Sequence, residues 1–147
     1  MPVTDFRFVP GQGLHPLRLG MTREQVERVM GEAPEIRKSR IPSEETWLFP
    51  RSNARVSLRG GILVEASVTP PSKVWVNGQS LFEDAKVWRR LVAADQDARQ
   101  AVGFLVLNGM GLALTGFHDD VAGQLAVTVF ETGRWDPLSA DAKPYAI

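Results

Sequence analysis

The sequence predicts an α+β fold: two tandem helix-then-β-meander units forming an antiparallel sheet with helices packed on one face. Three observations carry that expectation. A helix-opening phrase occurs once in each half, Gly20-Met21-Thr22-Arg23-Glu24-Gln25-Val26 and Gly78-Gln79-Ser80-Leu81-Phe82-Glu83, with Thr22 and Ser80 lying 58 residues apart. Each phrase leads into short segments that alternate apolar and polar residues at a period of two, the mark of half-buried antiparallel strands. Glycine, asparagine and proline punctuate those segments at hairpin spacing. The expected layout is a single domain over 1–147, with pseudo-repeat units at about 17–77 and 78–131 and a C-terminal tail at 132–147.

The first helix opens on a capping box, in which the Thr22 hydroxyl accepts from the backbone N–H of Gln25 and the Gln25 side chain reaches back. Met21 and Val26 sit at the positions of a hydrophobic staple, Val26, Val29 and Met30 share one helical face, and Gly31 and Pro34 end the helix. Three strands are expected next, at 46–49, 54–59 and 62–69, turning at Arg51-Ser52-Asn53 and Gly60-Gly61. A short strand at 74–76 lies between Pro70-Pro71 and Asn77-Gly78. Ser80 with Glu83 reads as a second capping box, opening a helix whose stripe is Leu81, Ala85, Trp88, Leu91 and Val92. Asp97-Ala98-Arg99-Gln100 reads as a further helical turn stopped at Gly103. The second meander is expected at 104–107, 112–117 and 125–130, with turns at Asn108-Gly109-Met110-Gly111 and 118–124.

Composition bounds the chemistry. The 147 residues are 44% hydrophobic and 23% charged, the profile of a soluble globular domain long enough to bury a core. No cysteine is present, so disulfides, thiolate metal sites and cysteine nucleophiles are excluded. The N-terminal residues Met1-Pro2-Val3-Thr4-Asp5-Phe6-Arg7 have neither a basic n-region nor an apolar h-region, and no apolar window reaches membrane-span length. A cytoplasmic location is the resulting expectation. Basic and acidic residues balance at 17 each, but residues 1–78 carry a net +3 and residues 79–147 a net −3. Such a split is too weak for a nucleic-acid footprint and suits a dipolar surface that orients a protein partner.

The phrase Leu17-Arg18-Leu19-Gly20-Met21-Thr22-Arg23-Glu24-Gln25-Val26, with Gly31 and Pro34 following, resembles the Gly-Met-Thr helix of BamE/SmpA-type modules. It is similar, too, to the helix-plus-sheet repeat of the β-lactamase inhibitory protein. With the late Gly111-Leu112-Ala113-Leu114 strand, the chain also resembles small bacterial immunity-like proteins. The resemblance implies a non-catalytic protein-binding module, foremost a cytoplasmic immunity protein that neutralises a cognate toxin by occluding it. A BamE-like assembly or adaptor protein is the alternative.

No catalytic motif supports an enzyme: no G-x-S-x-G elbow, P-loop or H-E-x-x-H occurs, and Gly11-Gln12-Gly13 lacks the rest of a dinucleotide fingerprint. No cofactor or metal is expected, and no nucleic acid or membrane. His118-Asp119-Asp120 is the most chemical-looking cluster and the seat of the remaining alternative, a small enzyme with a dispersed acidic site. It reads more simply as a solvated hairpin loop. Arg37-Lys38-Ser39-Arg40, between Pro34 and Pro42, reads as an exposed basic loop. Trp88 and Trp47 fit the core, whereas Trp75 falls at a strand edge and Trp135 beside Arg134 has the make-up of an interface anchor. The candidate partner-binding residues are therefore Trp75, His118, Asp119, Asp120, Arg134 and Trp135.

Overall fold

The computed structural model describes residues 2–101, 103–119, 122–139 and 142–146. The chain forms β1 (Asp5–Val9), β2 (Gly13–His15), β3 (Leu17–Arg18), α1 (Arg23–Met30), β4 (Glu35–Lys38), β5 (Glu44–Phe49), β6 (Ala54–Arg59), β7 (Ile62–Val68), β8 (Lys73–Val76) and β9 (Gln79–Ser80). There follow α2 (Ala85–Ala94), β10 (Ala98–Ala101), β11 (Phe104–Leu107), β12 (Leu112–Thr115), β13 (Ala126–Phe130), α3 (Asp136–Ser139) and β14 (Lys143–Pro144).

Two sheets dominate. One has nine strands in the order β14-β10-β11-β12-β13-β7-β6-β5-β4, the other five in the order β3-β2-β1-β8-β9. The expectation of an α+β tandem repeat is therefore corrected: the molecule is mostly β, and helices are a minor part. Strands of both expected meanders do lie in the nine-stranded sheet, joined by antiparallel pairing of β7 with β13. Its inner face shares a core with the five-stranded sheet. Phe6, Phe8, Leu14, Leu17 and Val74 from that sheet share one core with Val56, Leu58, Leu105, Leu114 and Val127 from the larger one. The two longer helices add Val26 and the Val87, Trp88, Leu91, Val92 stripe to the same core.

The first helix cap is as the sequence predicts. Thr22 accepts from Gln25 N at 3.3 Å and Gln25 Oε1 accepts from Thr22 N at 2.9 Å, so two donors that the helix leaves unpaired are satisfied. The second cap is not. Asn77 and Gly78 both have positive φ, 49° and 79°, and form a two-residue hairpin loop that returns the chain antiparallel to β8, with Trp75 opposite Ser80 and Val76 opposite Gln79. Ser80 is thus committed to a strand, and α2 starts later with Asp84 accepting from Lys86 N at 2.9 Å. This hairpin is the physical reason why the apparent repeat of the helix-opening phrase fails. In place of the expected helical turn at Asp97–Gln100, Ala98 opens strand β10, drawn into the sheet by pairing with Phe104–Leu107.

The outer face of the large sheet carries a second, smaller apolar cluster of Val106, Ala113 and Phe130, covered by Phe104 and Trp135. Trp135 stacks on Phe130 at 5.2 Å and meets Phe104 edge-on at 5.3 Å. Arg134 fastens this cover by a bidentate pair to Glu44, both contacts at 2.8 Å, and a third bond to Glu65 at 3.2 Å.

Candidate interaction surface

The five-stranded sheet has one face in the core and one in solvent, and strand alternation sorts its residues between them. Phe6 and Phe8 of β1 point inward, so Asp5 and Arg7 point out. The register then places Arg7 between His15 of β2 and Trp75 of β8, with Asp5 beside Lys73. Arg18 of β3 lies across from Gly13, on the same outer face. Gly13 is required there: its φ is +149°, and a Cβ would come within 2.5 Å of the Leu17 carbonyl oxygen.

This face gathers Arg7, His15, Arg18, Lys73 and Trp75. Trp75 is half-buried and oriented at both ends, since its Nε1 donates to Asp5 Oδ1 at 2.9 Å and Lys73 Nζ lies 5.5 Å from the ring centroid. Lys73 also reaches Glu83 at 3.7 Å. Among the described residues no ion pair or side-chain hydrogen bond engages the guanidinium of Arg7 or Arg18. Burial, and then the positive charges of Arg7 and Arg18, hold the His15 imidazole below its ordinary pKa. Two guanidiniums thus act on one imidazole from the same face, next to a fixed aromatic ring, with Asp5 as the acidic residue of β1 among them. Chemically, the arrangement can receive a carboxylate-rich surface: guanidiniums pair with carboxylates bidentately, and an indole supplies contact area at low entropic cost.

The residues singled out from the sequence fall in three places. Trp75 belongs to this cationic face. His118 and exposed Asp119 follow β12, where the His118 ring meets Tyr145 edge-on at 5.9 Å; Asp120 lies outside the described residues. Arg134 and Trp135 are on the outer face of the other sheet, mostly buried, with Trp135 Nε1 donating to Glu65 at 2.7 Å. The structure does not bring the six together. Among the described residues no group of three or more His, Asp or Glu side chains has metal-binding geometry.

Sequence reasoning missed Arg7, His15 and Arg18. The period-two run Asp5-Phe6-Arg7-Phe8 was the available signal, and it puts both charged residues opposite two phenylalanines.

No protein-family model matches the chain, and no curated protein matches it. Solved structures do. An extracellular protein containing a SCP domain from Bacillus anthracis str. Ames is similar, with a TM-score of 0.55 and 14% identity, covering 85% of this chain and 47% of that one. A cysteine-rich secretory protein from Staphylococcus aureus subsp. aureus Mu50 gives a TM-score of 0.57 at 14% identity, covering 99% of this chain and 55% of that one. The chain spans about half the length of the structures it matches. At that identity the likeness is one of fold. It corrects the resemblance to BamE/SmpA, the β-lactamase inhibitory protein and immunity-like proteins, together with the classification as an immunity protein of tandem-repeat type. The cytoplasmic expectation, which rested on the N-terminal residues and the lack of a membrane-length apolar window, is overturned as well: the matched proteins are described as extracellular and secretory.

Proposed function

We propose that this chain is a non-catalytic protein-binding module whose solvent-facing five-stranded sheet docks an acidic protein surface. The observation that carries this reading is the pair of guanidiniums, Arg7 and Arg18, that no side chain among the described residues engages, flanking His15 beside the anchored Trp75. A cluster of like charge is costly to the isolated molecule and becomes favourable when a partner brings opposite charge. Arg and Trp are also the residue types that dominate binding energy at protein interfaces. Partner carboxylates would pair with Arg7 and Arg18, while the partner's apolar atoms would cover Trp75.

The test is capture of partners from the native source on immobilised chain, comparing wild type with an Arg7→Glu/Arg18→Glu double variant. Both positions are exposed, so the variant folds as the wild type does. An acidic protein retained by the wild type should be lost from the variant, and its retention should fall steeply with added salt. Equal retention by the two proteins would refute this surface as the docking site.

A further inference from the structure

The nine-stranded sheet ends on β4, which pairs only with β5 among the described residues, so one row of its backbone N–H and C=O groups faces solvent. All four of its residues are exposed, and Ile36 keeps 51% of its surface accessible. β4 is short and charged, features that discourage pairing with an arbitrary strand. Its charge order nevertheless complements one partner, itself reversed. We propose that β4 pairs antiparallel with β4 of a second copy of this chain, centred on Ile36, to join two nine-stranded sheets across a two-fold axis.

The symmetry of such a pair decides the register. A two-fold perpendicular to a continuous antiparallel sheet sets one residue opposite its own copy, and every other pair follows from it. Centred on Ile36, the two isoleucines meet on one face while Glu35 lies opposite the second copy's Arg37, and Arg37 opposite its Glu35. Both ionic pairs are attractive, and both exposed isoleucines become covered. Centred on Arg37, like guanidiniums oppose each other and Ile36 meets Lys38. A register about Glu35 opposes carboxylates, and one about Lys38 opposes ammonium groups. Only the Ile36 register is complementary.

In the free chain Arg37 already bonds its own strand neighbour Glu35, at 3.0 and 3.1 Å, so both charges stand on the face of the sheet where the second copy's pair would arrive. Dimerisation joins the two isolated pairs into one square of four alternating charges. Four residues a side make a small contact, which places the dimer among weak, concentration-dependent associations. This inference is independent of the cationic face, which belongs to the other sheet.

Sedimentation of the full chain over a concentration series tests it, with Arg37→Glu and Glu35→Arg as single variants. The wild type should move from monomer mass toward dimer mass as concentration rises. Each variant opposes like charges at both pairs and should associate about tenfold more weakly. An equimolar mixture of the two variants sets a strand bearing two carboxylates against one bearing two guanidiniums. Both cross-strand pairs are then attractive, so the mixture should recover the wild-type dimer. Because the chain has no cysteine, Ile36→Cys gives an independent readout, a disulfide between equivalent positions on mild oxidation. A wild type that stays monomeric throughout overturns the proposal. So do single variants that dimerise like the wild type, or a mixture that stays monomeric.

Discussion

Replacing Arg134 by methionine lowers stability by about 3–5 kcal/mol, read as a shift of the urea midpoint at unchanged slope. The size follows from what is left behind. Arg134 has a side-chain exposure of 13%, and its principal partner Glu44 only 3%, so removing the guanidinium leaves a buried carboxylate with no hydrogen-bonding cation and only the charge of Arg59, across on β6, beside it. Glu65, at 19%, loses one donor but keeps the Trp135 indole. Adding Glu44→Gln to the methionine variant recovers part of the loss, because the buried charge is then gone. The same pair sets an acid limit. The hydrogen bonds from Arg134 hold the Glu44 pKa below its ordinary value, outweighing the opposing effect of burial. A carboxylate whose pKa is depressed on folding contributes stability that is complete above the unfolded pKa, about 4.3, and is lost as pH falls through the folded value. Wild-type stability should therefore drop below about pH 4 by more than that of the Arg134→Met/Glu44→Gln variant.

Leu114→Ala is expected to cost about 2–5 kcal/mol, measured by the same unfolding transition. Leu114 is fully buried on the inner face of the larger sheet, directly between Leu105 of β11 and Val127 of β13. Its neighbours are held in register by antiparallel pairing on both sides, so the surroundings cannot collapse into the vacated volume and the cavity persists. Leu48→Ala, at a partly exposed position of β5, should cost much less in the same assay.

Local chemistry was legible in the chain, and long-range pairing was not. The Thr22–Gln25 cap depends on residues three apart, and the Gly60-Gly61 turn depends on adjacent ones; both are read directly. The period of two identified most strands of the large sheet. The Ser80 cap failed because the Asn77-Gly78 hairpin claims Ser80 first, which becomes visible only when β8 is paired. The five-stranded sheet was missed since its first three strands are short and broken by Gly11, Gly13 and Pro16, and β1 finds β8 in parallel across almost half the chain.

The same division governs the functional surfaces. Trp75 could be singled out as an edge aromatic, yet its neighbours Arg7 and His15 are set by strand pairing that the sequence does not announce. Arg134 and Trp135 have the composition of an exposed anchor. The partners that bury them, Glu44 and Glu65, lie 90 and 69 residues away along the chain. Residue type alone does not tell a binding anchor from a fastening; the partner across the sheet decides it.

The cationic face is tested most directly by amide and imidazole chemical shifts in the full chain, titrated with an oligo-glutamate peptide. The expected perturbations fall on Arg7, His15, Arg18, Lys73 and Trp75, and the His15 pKa rises in the complex because the bound carboxylates favour the imidazolium. Shifts centred instead on His118 and Asp119, or on Arg37 to Arg40, with His15 titrating as in the free chain, would contradict the account.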